Sequence, residues 1–223
     1  HHMLNVRYTL ALSATPDTKN GLRDIIHLFL GPTIVDMRDT RSDVTVVKKP
    51  YRCARFELPP PENRMGKVDM TKMVSIIAED QTRTDHIVMI IHEFLNNTEN
   101  HILVLSALRD HCISIRDRLG NSISGLYLGG MTNEELIDSA SKRVVVATNR
   151  MADEGLDIPT LNVLLMATPK SDIVQACGRV QRGAGNPTIV DIRDQWGVFI
   201  AQGKKRDEYY RKCGWIKDKP PPV

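Results

Sequence analysis

Arg143-Val-Val-Val-Ala-Thr-Asn-Arg-Met-Ala-Asp-Glu-Gly-Leu-Asp-Ile-Pro-Thr-Leu-Asn-Val-Leu-Leu-Met-Ala-Thr-Pro169 holds two short apolar runs, Val144–Thr148 and 163–167. Neither alternates polar with apolar residues, so each predicts a strand buried on both faces. Comparable runs stand at Ile102–Ser106, 124–128 and 188–192. Amphipathic stretches lie around them. Residues 84–96 carry Ile87, Ile90, Ile91, Phe94 and Leu95 at helical spacing, and 110–119 reads as a helix stopped by Gly120. Thr132-Asn-Glu-Glu135 has the form of a capping box that opens a further helix, and 173–181 reads as another. This alternation predicts an α/β fold, a doubly wound parallel sheet with helices on both faces. Ligands of such sheets sit beyond the carboxyl ends of the strands. Ser106, Thr148 and Asp157 follow such ends.

The first third is patterned differently. Residues 10–13 suggest a short strand, 21–30 a helix, and 44–58 an extended segment broken by Pro50; Pro59-Pro60-Pro61 then forces an exposed turn.

Bulk properties bound the function loosely. The chain has 223 residues and a formal charge of +3, which permits nucleic-acid contact without demanding it. Cys53, Cys112, Cys177 and Cys213 are scattered without ligand spacing, so neither a zinc site nor a disulfide framework is expected, and no metal ligand is assigned. No membrane-length apolar run and no secretory signal are visible, which gives an intracellular expectation and no membrane partner. His1-His2-Met3 reads as an affinity-tag remnant and carries no metal argument.

Gln175-Ala-Cys-Gly-Arg-Val-Gln-Arg182 is the stretch richest in chemistry. On a helix Arg179 and Arg182, at i and i+3, share a face, and Gly178 beside them lets another surface approach. Paired guanidiniums suit a polyphosphate. An isolated RxxR is more often a solvated basic face; here Ala147-Thr148 and Glu154-Gly-Leu-Asp-Ile-Pro159 precede it. Together with Leu12-Ser-Ala-Thr-Pro16 and Ile102-Leu-Val-Leu-Ser-Ala107, these segments resemble, in order, motifs III, IV, V and VI of superfamily 2 helicases. The resemblance covers most of the chain. Ser13-Ala-Thr-Pro-Asp17, Gly21-Leu-Arg23 and Phe29-Leu-Gly-Pro32 resemble one branch, which holds repair helicases, a phage recombination helicase and late-transcription helicases of poxvirus and African swine fever virus type.

The resemblance implies a RecA-like fold and a division of the chain. Residues 1–31 would be a tag and the end of a first RecA-like domain, 32–216 a second such domain, and 217–223 a loose tail. It implies ATP and Mg²⁺ as cofactors, held mainly by the first lobe, since no GxxxxGK[ST] loop occurs in this sequence. The chain alone is therefore expected to be inactive as an ATPase. Arg182 and Arg179 would be arginine fingers; Gln175, Gly155 and Asp157 would serve the nucleotide. Thr148, Ser106, Gly129, Gly130 and Arg109 would contact a nucleic-acid backbone, DNA favoured over RNA, and Ser13 and Thr15 would couple the two sites. The implied partners are nucleic acid and the N-terminal lobe of the same protein. The location would be host cytoplasm or virion if the source is viral. Arg206, Tyr210 and Trp215 are expected to anchor a last helix to the sheet, with base stacking disfavoured. The alternative is a non-catalytic module that binds nucleic acid or a transcription factor.

Overall fold

The computed structural model describes residues 9–12, 23–35, 43–154, 156–182 and 186–217. Ser13, Thr15 and Gly155 lie outside the described residues. The chain divides into two compact units, 1–40 and 41–223. In the first, α1 (Arg23–Leu30) forms where a helix was expected, and Ile25, Leu28 and Phe29 on it are exposed. Residues 9–12 carry no regular structure, so the short strand expected there does not form over its described part. An isolated segment of that length has no ladder to stabilise it.

In the second unit, six strands form one sheet: β1 (Thr45–Tyr51), β2 (Ile102–Ser106), β3 (Ser124–Tyr127), β4 (Val144–Thr148), β5 (Val163–Met166) and β6 (Thr188–Asp194). Their order is β1-β6-β5-β2-β4-β3, and every pairing is parallel. The helices are α2 (Met70–Glu79), α3 (Gln81–Leu95), α4 (Arg109–Leu119), α5 (Asn133–Ala140), α6 (Asn149–Glu154), α7 (Val174–Val180) and α8 (Val198–Lys212). The architecture is the doubly wound α/β sheet that the apolar runs predict. Every residue of β2 and of β5 is buried.

Alternate residues of those strands feed two cores. Ile102, Val104, Val144, Val146 and Leu165 pack with Ile87, Ile90 and Ile91 of α3 and Ile115 of α4. Leu103, Leu105, Val145, Leu164 and Met166 pack on the other side with Ala176, Cys177 and Val180 of α7 and Tyr210 of α8. Each fully buried aliphatic side chain contributes roughly 1.5–3 kcal/mol, so this double coverage is what holds an all-parallel sheet together. Thr132 caps α5, accepting from the Glu135 amide while the Glu135 carboxylate accepts from the Thr132 amide, as the capping box predicts.

Pro50 does not break β1. Among the described residues that strand pairs on one side only, with β6, and runs through Pro50 to Tyr51; an edge strand tolerates the missing amide. A 3₁₀ turn, Ala54–Glu57, follows in place of further extended chain. Gly125 on β3 has a steric purpose: a Cβ there would stand 2.5 Å from the Ser139 Cα, so its absence lets α5 lie directly against the edge strand.

Two buried ionic clusters pin helices to the carboxyl half of the sheet. Arg83 of α3 donates through Nε (2.7 Å) and Nη2 (2.8 Å) to both oxygens of Asp194, and through Nη1 (2.8 Å) to the Ala167 carbonyl. Arg206 of α8 grips Asp191 through Nε and Nη2, and the Tyr210 hydroxyl donates to Asp191 Oδ2 at 3.0 Å. Trp215 is buried against Tyr209 and Tyr210. These three residues therefore anchor α8, as expected, and Trp215 presents no stacking platform.

Candidate functional site

The ends of β2, β4 and β5 are tied into one face. Ser106 and Thr148 stand opposite each other in register, and the Ala107 amide donates to Thr168 Oγ1 at 2.8 Å just past β5. On this face lie the segments singled out by their chemistry. Thr148 is half-buried at the tip of β4, and α6 begins at the next residue. Arg109, exposed at the start of α4, donates to the Gly129 carbonyl at 2.8 Å. Gly129 and Gly130 are exposed, and the φ of 83° at Gly130 lies where glycine is favoured. The Met151 sulfur of α6 reaches within 3.9 Å of where a Gly129 Cβ would be. The structure thus gathers Arg109, the glycine turn and the helix following Thr148, though these lie far apart in sequence.

Ser106 is placed differently. It is fully buried, its Oγ hydrogen-bonds His111 Nδ1 at 3.0 Å, and it accepts from the Leu108 amide at 3.2 Å. Its side chain is therefore engaged in structural hydrogen bonds. His111 completes that arrangement. Burial, with the Arg83 and Arg118 charges adding to it, pushes its pKa down to about 3, so the imidazole stays neutral near pH 7. The sequence pattern carried no sign of this Ser–His pair.

The second group of residues surrounds α7. The helix ends at Val180 with Gln181 as its cap, one residue short of the expected end, so Arg182 lies beyond the helix rather than on its face. Two glycines follow within three residues, Gly183 and Gly185, and glycine is a poor helix former. The two arginines consequently part company. Arg182 is exposed and pairs with Asp157 at 3.2 Å, their side chains 58% and 71% accessible. Arg179 turns inward and donates to the backbone carbonyls of Ala152 (3.0 Å), Leu156 (2.6 Å) and Asp153 (3.3 Å). Gln175 is exposed on α7, one turn before Arg179. Lys170, after β5, binds both oxygens of Asp153 at 2.8 and 3.1 Å, a brace that local pattern did not reveal.

Chemically, an exposed guanidinium held by an exposed carboxylate is a pair that water already screens. A ligand phosphate could take it over at little cost. Among the described residues, no cluster of three or more His, Cys, Asp or Glu could hold a metal ion, and no helix is long and apolar enough to cross a membrane.

No family model matches the chain. A mimivirus protein named putative ATP-dependent RNA helicase L396 is 27% identical over 224 residues, spanning 95% of this chain and 43% of its own length. The fowlpox virus transcript termination protein A18 is 32% identical over 145 residues, spanning 55% of this chain and 31% of its own length. The chain spans half the length or less of these curated relatives. Among solved structures, that of T4 UvsW superposes with a TM-score of 0.58 at 17% identity, over 77% of this chain and 40% of the other. The fold is RecA-like, and the chain's viral relatives include one named a putative helicase and one named a transcript termination protein.

Proposed function

We propose that this chain is the second RecA-like lobe of an ATP-driven superfamily 2 helicase or translocase whose first lobe carries the phosphate-binding loop. The observation that carries the reading is the Arg182–Asp157 pair: an exposed guanidinium just past the end of α7, held by an exposed carboxylate, in a sequence without GxxxxGK[ST]. A lone lobe of this kind supplies the far side of a nucleotide cleft. Arg182 and Gln175 would face the phosphates, and Asp157 would face the ribose or hold Arg182 in place. ATP, when bound, supplies the phosphoryl chemistry, and Mg²⁺ is assigned to the first lobe. Delivering the finger from a second lobe makes hydrolysis wait for closure, and that links chemistry to movement.

The nucleic-acid side of the proposal rests on Thr148, Arg109, Gly129 and Gly130. All four suit phosphate contacts, which position a strand without reading its sequence. DNA is the proposed track. The relative named an RNA helicase makes RNA the arm to compare, and the relative named for transcript termination makes transcription the pathway to examine.

The test is steady-state ATP hydrolysis by the 223-residue chain and by the full-length protein, each with DNA, with RNA and with neither. The chain alone is expected to be silent, and the full-length protein to turn over ATP faster with DNA. Absence of turnover in the full-length protein under every condition would favour a non-catalytic binding module instead.

A further inference from the structure

We infer that Arg179 and Arg182 are not equal fingers: Arg179 is a positioning residue that ties the end of α6 and Leu156 to α7, and so holds the backbone beside Asp157, the partner of Arg182. This rests on the proposed nucleotide role of Arg182. The clamp is visible in three hydrogen bonds. Two of the acceptors, the carbonyls of Ala152 and Asp153, belong to the last turn of α6, where carbonyls lack partners within the helix. A cation there also meets the negative end of the helix dipole. The third acceptor is the carbonyl of Leu156, immediately before Asp157. A planar guanidinium spans three separate carbonyl acceptors; a lysine ammonium presents its donors from one point.

Its position gives the clamp a second consequence. Residue 149 opens α6 directly after Thr148, so one short run of chain joins the proposed nucleic-acid contact to Asp157. Arg179 ties the end of that run to α7, and the Lys170–Asp153 pair braces it from the β5 side. Movement of Thr148 is then transmitted through α6 to the Leu156 backbone that Arg179 holds, next to Asp157. With the clamp cut, that link is lost.

The experiment compares full-length wild-type protein with Arg179→Ala, Arg179→Lys, Arg182→Ala and the Arg179→Ala/Arg182→Ala double variant. Two quantities are measured: nucleotide-free binding of a fluorescein-labelled single-stranded DNA, and DNA-stimulated kcat. A clamp predicts that Arg179→Ala weakens nucleotide-free DNA binding, which a finger has no means of doing, while Arg182→Ala leaves it unchanged. It predicts a fall in kcat of roughly 10²-fold for Arg179→Ala through misplacement of Arg182. The double variant should be no slower than Arg182→Ala, because one residue acts through the other. Arg179→Lys, which keeps the charge and safeguards against misfolding of the alanine variant, should resemble Arg179→Ala in binding. Unchanged DNA binding with losses in kcat that multiply would overturn the clamp and restore two fingers. Wild-type protein without DNA-stimulated turnover would instead remove the underlying nucleotide reading, and the inference with it.

Discussion

Arg182→Ala is expected to lower DNA-stimulated kcat of the full-length protein by about 10³-fold or more, the range over which an arginine finger acts. Among the described residues, two other cations of this region are already engaged. Arg179 is held by three carbonyls, and Lys170 is occupied with Asp153. Folding should hardly notice the change, because the Arg182–Asp157 pair is more than half exposed on both sides and solvent screens it. The signature is therefore a collapse in turnover with thermal melting and DNA affinity close to wild type. Steady-state kinetics at saturating DNA, beside a melting curve, reads both. A kcat within threefold of wild type would remove Arg182 from the chemistry.

The second large effect is on stability. Arg83→Ala should destabilise the fold by roughly 3–5 kcal/mol, because it leaves the Asp194 carboxylate buried without a counter-charge. Both side chains of the pair are fully inaccessible, and Arg83 also satisfies the Ala167 carbonyl beside the candidate site. The loss is attributable to the orphaned charge rather than to the removed attraction. A double replacement, Arg83→Met with Asp194→Leu, should accordingly be far milder than Arg83→Ala alone. Urea unfolding of the three proteins measures the difference. Equal destabilisation by the single and double changes would contradict the account of that site.

The sheet was legible in the sequence because burial on both faces writes itself as unbroken apolar runs. Val144–Thr148 and Ile102–Ser106 form over the residues that those runs mark. The capping box at Thr132 was legible because its two partners are three residues apart. Features made by distant partners were not. Arg83 and Asp194 are separated by 111 positions, and neither differs in sequence from a surface charge. α2 was hidden by its neighbour: Asp80 closes α2 and caps α3, so no loop punctuates the apolar pattern between them. Ser106 looked like a strand-end phosphate contact, yet its partner His111 is set by how α4 folds back on β2. The spacing of Arg179 and Arg182 implied one shared face, and the end of α7 at Val180 separated them. Residue type and order pointed to the chemistry; which arginine is exposed is a property of the fold.

The most direct measurement of the central claim is trapping of ADP with fluoroaluminate, a mimic of the transferring phosphoryl group, on full-length protein with bound DNA. Wild-type protein should hold the complex far longer than ADP alone, and Arg182→Ala should lose that advantage while binding ADP normally. Equal trapping by the two proteins would contradict the claim that this lobe reaches across a cleft to the terminal phosphate.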